Sequence, residues 1–318
     1  MYKLIAIDID GTLLNSEGKL TERTKDTIKR VTSKNVKVVL TSGRVTKSVA
    51  DIAKLVNADR YMICDNGASI YDIEDNKTIW SKEIPKETVI NLVRTCLENN
   101  IYYMVFTDKE IVVKDLRHMA LAFYMQRHNC NDEATGITQI KYAGIDYIEN
   151  IDKPIRRIVV CDQDRTIYES IVNKLKKIPD VDLLSAPHVT NKIIKDGVKT
   201  TVLTYSYAEI LPKDANKWIA IKELIKNVGI REDEVMAIGD NFNDVSMIQN
   251  AGLGVAMNNG ASVAKEVARV VAPSNDENGV ATILERYILW FFCYIKRYNF
   301  ILNKNITNFI VVFFVLKK

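Results

Sequence analysis

The fold is decided by the stretch LIAIDIDGTL at residues 4–13. It opens as a short apolar run of the kind that forms a buried strand, and it ends in a glycine turn. Similar runs recur along the chain and alternate with helical patterns, which predicts a parallel sheet covered by helices on both faces. The strands predicted in this way are Leu4–Ile9, Val36–Leu40, Tyr61–Cys64, Glu234–Ile238, Gly252–Met257 and Arg269–Ala272.

The middle of the chain carries a second α/β pattern. Residues 84–207 alternate helices such as Lys86–Leu97 with strands such as Tyr102–Thr107, but they hold no cluster of catalytic residue types. A chain of 318 residues is long enough for two domains. We therefore predict a doubly wound, Rossmann-like core from residues 1–83 and 208–289, with an α/β cap domain inserted between them.

The end of the chain, residues 290–318, has a different composition. It contains no acidic residue, and its apolar runs are shorter than the roughly 20 residues that span a bilayer. We interpret it as a non-native extension, with an interfacial membrane anchor as the alternative. The net charge of +4 arises in this basic end, so the nearly neutral body gives no indication of nucleic-acid binding.

The cysteines and the first residues indicate a cytoplasmic protein. Five cysteines are dispersed along the chain without a Cys-x-x-Cys pair, a pattern typical of reduced thiols. The chain opens directly on a strand pattern, without the apolar stretch of a secretory signal.

Two carboxylates end the first predicted strand. Side chains two residues apart on a strand point to the same side, so Asp8 and Asp10 are expected to face one reaction space. Ligands of open parallel sheets bind beyond the carboxyl ends of the strands. Gly11 allows a tight turn, and Thr12 can offer a hydroxyl to a phosphate oxygen.

A second Asp-x-Asp segment illustrates the alternative interpretation, in which the aspartates only stabilise a turn or a helix end. Asp162 and Asp164 also follow an apolar run, but no Gly-Thr comes after them. Aspartates in turns commonly accept hydrogen bonds from nearby backbone amides. We predict that Asp164 caps a helix and has no catalytic role.

Other polar groups follow later strands or begin a helix. Ser42 and Gly43 come directly after the second strand and could bind a phosphoryl oxygen, although a Ser-Gly turn is also common structural punctuation. Lys217 begins the amphipathic helix Lys217–Val228, where its charge opposes the helix dipole. A fixed ammonium beside a transferring phosphoryl group would explain that position.

A second pair of carboxylates follows the strand Glu234–Ile238. Asp240 and Asp244 are four residues apart and could share a face if a helix begins there. Carboxylate oxygens suit Mg²⁺, although an isolated pair of this spacing is more often a turn that caps the next helix. The combination of four such sites at one predicted sheet edge indicates phosphoryl transfer.

At these residues the chain resembles the haloacid dehalogenase-like superfamily, and within it the Cof-type phosphatases with a large α/β cap. The resemblance covers about residues 1–288 and rests on four motifs that occur in order: Asp-x-Asp-Gly-Thr-Leu-Leu, Ser-Gly-Arg, Asn-Lys before a helix, and Gly-Asp-Asn-x-Asn-Asp. The resemblance implies a Rossmann-like core, a mobile cap that supplies specificity, and Mg²⁺ as the cofactor.

The resemblance also implies the role of each site residue. Asp8 would be the nucleophile that forms an aspartyl-phosphate, and Asp10 the acid and base. The phosphate-binding residues would be Thr12, Ser42, Gly43, Lys217 and Asn243. The metal would be held by Asp8, by Asp10 through its main-chain carbonyl, and by Asp240, with Asp244 as a ligand or its partner.

The function expected from this set is Mg²⁺-dependent hydrolysis of phosphomonoesters in small metabolites such as sugar phosphates, nucleotides or phosphorylated cofactors. A capped phosphomutase of the same superfamily is the alternative, and a membrane-associated binding protein acting through the tail is a more remote one. A receiver domain is excluded because its phospho-acceptor lies in the middle of one compact domain of roughly 100–150 residues. The sequence gives no indication of the oligomeric state.

Overall fold

The computed structural model of the chain describes residues 1–44, 46–107, 110–118, 120–121, 139–185, 190–196 and 199–290. The tail predicted at residues 290–318 lies outside this part of the chain, apart from Trp290. Within the described residues, no helix combines the length and the apolar character needed to cross a membrane.

The first part of the core is a run of strands joined by helices and ending in a hairpin. Its first helix begins where the hydroxyl of Thr21 accepts a hydrogen bond from the amide of Thr24. The elements are β1 (Leu4–Asp8), α1 (Glu22–Thr32), β2 (Lys37–Thr41), α2 (Thr46–Val56), β3 (Tyr61–Cys64), β4 (Ser69–Asp72) and β5 (Lys77–Ser81).

The cap follows as a separate α/β unit. In chain order its described elements are α3 (Lys86–Glu98), β6 (Tyr102–Phe106), β7 (Glu110–Val113), β8 (Gln139–Tyr142), α4 (Ile145–Asn150), β9 (Arg157–Asp162), α5 (Arg165–Leu175), β10 (Val181–Ser185), β11 (Thr190–Asp196) and β12 (Lys199–Pro212).

The second part of the core resumes with a helix. Its elements are α6 (Lys217–Val228), β13 (Val235–Gly239), α7 (Val245–Asn250), β14 (Leu253–Met257), α8 (Ser262–Val267), β15 (Val270–Ala272) and α9 (Gly279–Leu284), followed by a π-helical turn at Glu285–Leu289.

The two core segments form one sheet with the order β15-β14-β13-β1-β2-β3-β4-β5. The strands from β15 to β3 run parallel, and β4 and β5 add an antiparallel hairpin at one edge. The chain starts in the centre at β1, builds outward through β2 and β3, and returns on the other side of β1 with β13. This arrangement places a topological switch point, the usual ligand site of such sheets, between β1 and β13.

Helices cover both faces of the core sheet. On one face Ile5 and Ile7 pack with apolar residues of α1, α2 and α9, and on the other Leu4 and Ala6 pack with those of α6, α7 and α8. Strands buried on both faces explain the unbroken apolar runs in the sequence. The predicted doubly wound core is confirmed.

The cap sheet is mainly antiparallel, with the order β10-β12-β9-β6-β7-β8 and β11 paired to β12. One face packs against α3, α4 and α5 through residues such as Leu92, Ile148 and Ile171. The other face is rich in aromatic residues, including Tyr102, Phe106 and Tyr205. The inserted α/β cap is therefore also present.

The last cap strand is longer than the sequence pattern indicates. The predicted boundary between residues 207 and 208 falls inside β12, whose residues as far as Pro212 pair with other cap strands. The core resumes at Lys217. One continuous strand therefore carries the chain from the cap back to the core.

Candidate active site

The site is built around Asp8, the last residue of β1. The strand is fully buried, and an irregular turn over Ile9–Leu13 follows it. Asp8 is only 5% exposed, because β13 and β2 flank it on either side. A buried carboxylate requires a partner, since burial without one is costly.

That partner is Lys217, the first residue of α6. Its Nζ donates to Oδ1 of Asp8 at 2.5 Å and to Oδ1 of Asp244 at 2.6 Å, and the side chain is fully buried. The helix start is fixed by Asn216, whose side chain accepts a hydrogen bond from the amide of Ile219 at 3.0 Å. This cap orients the lysine into the interior despite the unfavourable helix dipole.

Asp244 ties the loop after β13 to the lysine. While Oδ1 accepts from Lys217, Oδ2 accepts from the amides of Asp240 and Asn241 at 2.9 and 3.0 Å. Gly239 is necessary here, because a Cβ at this position would lie 2.5 Å from the Cβ of Asp244. Asp244 therefore positions both the lysine and the backbone that carries Asp240.

Asp240 lies beside the turn that follows β1. Its Oδ1 accepts a hydrogen bond from the hydroxyl of Thr12 at 2.9 Å. Gly11 has a φ of +81°, and a Cβ there would lie 2.4 Å from Oδ2 of Asp240. Only glycine allows the turn to approach this carboxylate so closely.

The three carboxylates of Asp8, Asp240 and Asp244 offer oxygens that lie within 4.8 Å of one another. Burial, reinforced by the charge of Asp244, raises the pKa of Asp8 well above its usual value. The same two causes raise the pKa of Asp240 to about 6. Burial alone would lower the pKa of Lys217, but the attraction of Asp244 and Asp8 outweighs it and raises that pKa.

This cluster fits a divalent cation. When ionised, three carboxylates against one ammonium leave two negative charges uncompensated in a buried space. Oxygen ligands of this kind suit Mg²⁺, which is often held by one or two carboxylates together with water and substrate oxygens. A divalent cation would offset both causes that raise the pKa values of Asp8 and Asp240, namely their burial and the negative charge of Asp244.

Asp10 lies outside this cluster. β1 ends at Asp8, so strand alternation does not place Asp10, whose side chain is 60% exposed. Its two carboxylate oxygens accept hydrogen bonds from Nε and Nη2 of Arg44 at 2.8 and 2.7 Å. Arg44 therefore fixes the exposed carboxylate of Asp10 through two hydrogen bonds.

Three of the predicted phosphate-binding residues, Ser42, Gly43 and Asn243, lie on the loops that follow β2 and β13. Ser42 is buried directly after β2, and its hydroxyl accepts from the amide of Arg44 at 3.1 Å. Gly43 follows it and packs against Asn66, while Nδ2 of Asn243 donates to Oδ1 of Asn66 at 2.9 Å. The structure thus brings Ser42, Gly43 and Asn243 to the same end of the sheet.

Sequence reasoning assigned no role to Arg44, Asn66 or Asn259. Asn259 donates to the carbonyl of Gly11 at 2.8 Å and thereby supports the turn after Asp8. A signal existed for two of the three residues, because Arg44 follows Ser-Gly and Asn66 precedes a glycine. Nothing in the spacing around Asn259 indicated its contact with Gly11, which lies 248 positions away.

Comparison with known proteins places this site in context. The family model described as haloacid dehalogenase-like hydrolase matches residues 5–284. The putative phosphatase YxeH of Bacillus subtilis is 30% identical over 295 residues, which cover 91% of this chain and 99% of the relative. The 5-amino-6-(5-phospho-D-ribitylamino)uracil phosphatase YwtE of the same organism is 31% identical, with coverage of 90% and 98%.

Solved structures show the same architecture. A haloacid dehalogenase-like hydrolase from B. subtilis superposes with a TM-score of 0.72 at 25% identity, covering 90% of this chain and 100% of the other. Another from Bacteroides thetaiotaomicron superposes with a TM-score of 0.71 at 26% identity, covering 90% and 99%.

Proposed function

The chain belongs to the haloacid dehalogenase-like hydrolases and is a phosphatase of the Cof type. From that premise we propose that it hydrolyses phosphomonoesters of small metabolites in an Mg²⁺-dependent reaction in which Asp8 is transiently phosphorylated. The observation that carries this proposal is the fully buried Lys217, which bridges Asp8 and Asp244 beside Asp240.

Asp8 is the proposed nucleophile. It ends the central strand at the switch point of the sheet, where a substrate can reach its carboxylate. One carboxylate oxygen is held by Lys217, which fixes the direction of attack on phosphorus. The phosphoryl group passes to Asp8 as the ester oxygen leaves, and water then attacks the aspartyl-phosphate to release inorganic phosphate.

Asp10 is the proposed acid and base. It protonates the leaving ester oxygen in the first step and removes a proton from water in the second. Both carboxylate oxygens of Asp10 are hydrogen-bonded to Arg44, whereas both steps require contact with the ester oxygen or with water. Asp10 must therefore exchange Arg44 for the substrate oxygen before it can act.

The proposed Mg²⁺ site comprises the carboxylates of Asp8 and Asp240, the main-chain carbonyl of Asp10 and, as a ligand or a supporting group, Asp244. When bound there, the ion would neutralise the charge that otherwise repels a phosphate dianion from Asp8. Thr12 orients Asp240 through its hydroxyl, and Lys217 supplies a second positive charge beside the nucleophile.

The proposed phosphate-binding groups are Thr12, Ser42, Gly43, Lys217 and Asn243. Lys217 contributes charge, and the loops after β2 and β13 contribute hydroxyl, amide and main-chain groups near the nucleophile. Phosphoryl transfer depends mainly on positioning and charge neutralisation, which such a set provides.

The proposed substrates are small phosphorylated metabolites, and the proposed setting is the cytoplasm. By its name, the relative YwtE acts on a phosphorylated ribityl group attached to a uracil ring. That compound therefore belongs in the first substrate panel, beside sugar phosphates, nucleotides and phosphorylated cofactors. Support for a reducing compartment comes from Cys64 and Cys96, which are buried free thiols.

The test is phosphate release by the full chain from p-nitrophenyl phosphate and this panel, with Mg²⁺ and with a chelator. We expect release that requires the metal and that Asp8→Asn abolishes. Isomerisation of a sugar phosphate without release of phosphate would overturn the proposal in favour of a mutase. Equal rates with and without chelator would overturn the metal dependence.

A further inference from the structure

Two cap residues reach into the core beside the proposed phosphate-binding loops. Arg157, the first residue of β9, donates a hydrogen bond from Nη1 to the carbonyl oxygen of Gly43. Glu209 in β12 accepts a hydrogen bond from Nδ2 of Asn66 through Oε2, at 2.6 Å. Each contact joins the cap to a loop at the carboxyl end of the core sheet.

The two cap residues lie close together on one face of their sheet. Glu209 pairs in register with Val159, two positions along β9 from Arg157. Oε2 of Glu209 lies 3.6 Å from Nη1 of Arg157, and the guanidinium carbon of Arg157 lies 4.0 Å from the ring centroid of Phe106. The arginine is therefore held between an aromatic ring and a carboxylate.

Asn66 continues the contact to the second loop of the core. Its Oδ1 accepts a hydrogen bond from Nδ2 of Asn243, and its side chain packs so closely on Gly43 that a Cβ there would lie 2.7 Å from Oδ1. The backbone of Asn66 has a φ of +55°, which asparagine and aspartate tolerate better than other side chains. Asn66 thus links the loop after β2, the loop after β13 and Glu209.

These contacts are sheltered from water. The side chains of Arg157 and Glu209 are 10% and 17% exposed, and Asn66 is 3% exposed. A charge-assisted hydrogen bond in such a place is stronger than one at the surface, and an unpaired partner there is costly.

We propose that Arg157, Glu209 and Asn66 form a junction network through which the cap positions the phosphate-binding loops. The three are positioning residues that act through Gly43 and Asn243, so that docking of the cap and formation of the phosphate site are a single event. This inference rests on the proposed function of those two loops.

The test exchanges the side-chain amide of Asn66 and the carboxylate of Glu209 between the two positions. Asn66→Asp keeps the side-chain shape and the acceptor for Asn243, but it places a carboxylate against Glu209. Glu209→Gln removes the charge opposite Arg157. The double variant Asn66→Asp/Glu209→Gln restores one amide, one carboxylate and the hydrogen bond between them with reversed polarity.

The readouts are kcat and KM for the best substrate and the dissociation constant of inorganic phosphate by calorimetry with Mg²⁺ present. We expect each single variant to lower kcat/KM and weaken phosphate binding by about 10- to 30-fold, because Asn66→Asp sets two carboxylates against each other and Glu209→Gln removes the charge that strengthens the hydrogen bond. The double variant should return both quantities to within about threefold of wild type, because the two changes are coupled.

The matched control is Lys82→Met, which removes another contact at this junction. Lys82 donates to the carbonyls of Lys213 and Asp214 at 3.2 and 3.4 Å, where the chain returns from cap to core. The Lys82→Met variant should leave kcat, KM and the dissociation constant of phosphate unchanged.

Single variants that bind phosphate like wild type, or a double variant whose losses are the product of both singles, would overturn the junction network. A variant that has a lower melting temperature but binds phosphate normally would also overturn it. If the wild type binds phosphate but hydrolyses no substrate, the proposed function fails, and the phosphate-binding comparison still decides this inference.

Discussion

The core and the cap each contain an Asp-x-Asp segment that begins at the last residue of a buried strand, and the two segments have different contacts. In the core, Asp8 becomes part of a buried cluster with Lys217 and Asp240. In the cap, Asp164 accepts hydrogen bonds from the amides of Thr166 and Ile167 at 2.8 and 3.1 Å and caps α5. The same local pattern therefore produces a candidate nucleophile in one region and a helix cap in the other.

The direction of the neighbouring strands explains the difference. β1 lies between two parallel strands, so the loops after β2 and β13 emerge at the same edge of the sheet as Asp8. β9 lies between β6 and β12, both antiparallel to it, so the loops after those strands emerge at the opposite edge. A carboxylate lies close to residues from several loops only where neighbouring parallel strands end at the same edge of the sheet.

Asp8→Asn should have the largest effect on activity. An amide is a poor nucleophile, so we expect turnover with Mg²⁺ to fall by on the order of 10⁴-fold or more. Steady-state phosphate release measures this, with Asp164→Asn as the control that keeps its cap and its activity. Near-normal turnover by Asp8→Asn would contradict the proposed mechanism.

The same variant should gain stability in the absence of metal. Burial raises the pKa of Asp8 above its unfolded value, so the stability contributed by this group is present below the unfolded pKa and is lost as the pH rises through the folded pKa. Metal-free Asp8→Asn should therefore melt above metal-free wild type at pH 7. The difference should vanish below about pH 4, near the unfolded pKa of an aspartate.

Lys217→Met should change stability in the opposite direction. It leaves Asp8 and Asp244 buried without their ammonium, which costs about 3–5 kcal/mol for a broken buried pair. Urea denaturation without metal measures the cost. Lys222→Met on the same helix removes an exposed pair with Glu232 and should cost less than about 1 kcal/mol. Equal costs for the two variants would mean that burial does not distinguish these lysines.

Mg²⁺ should stabilise the folded protein by binding at the core site, and the Asp-x-Asp segment of the cap should not contribute to this stabilisation. Saturation at 100 times the dissociation constant adds about 2.7 kcal/mol to the free energy of unfolding, seen as a higher melting temperature. Asp240→Asn should lose most of this gain, whereas Asp164→Asn should keep it.

The metal effect should also depend on pH. The pKa of Asp240 is raised to about 6, so protons compete with Mg²⁺ and the stabilisation should weaken as the pH falls below that value. A gain that is constant from pH 8 to pH 5 would contradict this metal site.

Asp164→Ala should have the smallest effect. Loss of a helix cap costs about 1 kcal/mol of stability. Because the Asp164 carboxylate accepts from the first amides of a cap helix, we expect its loss to leave kcat and KM unchanged. A fall in kcat/KM at a temperature where the variant is fully folded would erase the distinction between the two segments.

Much of the core could be predicted because its signals are local. Each predicted core strand coincides with an observed one to within one residue at each end, and the helix Lys217–Val228 matches at both ends. Gly229 directly follows that helix and has the left-handed conformation that glycine adopts at helix ends. The helix cap at Asp164 is also confirmed.

The contacts between distant loops could not be predicted in this way. Gly43 and Arg157 are 114 positions apart, and Asn66 and Glu209 are 143 apart. No periodicity connects residues across a domain boundary, because their proximity depends on how the cap docks. Asp10 and Arg44 lie closer in sequence, but their contact could not be predicted either. It depends on where β1 ends and the turn begins.

The central claim is that Asp8 carries the phosphoryl group, and peptide mapping of a trapped intermediate tests it most directly. Asp10→Asn retains the nucleophile but lacks the group that activates water, so its aspartyl-phosphate should accumulate. We would incubate this variant with Mg²⁺ and p-nitrophenyl phosphate, quench with acid and locate the adduct by mass spectrometry. The account predicts one phosphoryl group on the peptide that contains Asp8, and none in Asp8→Asn/Asp10→Asn. Release of one equivalent of nitrophenol without an adduct, or an adduct on another residue, would contradict it.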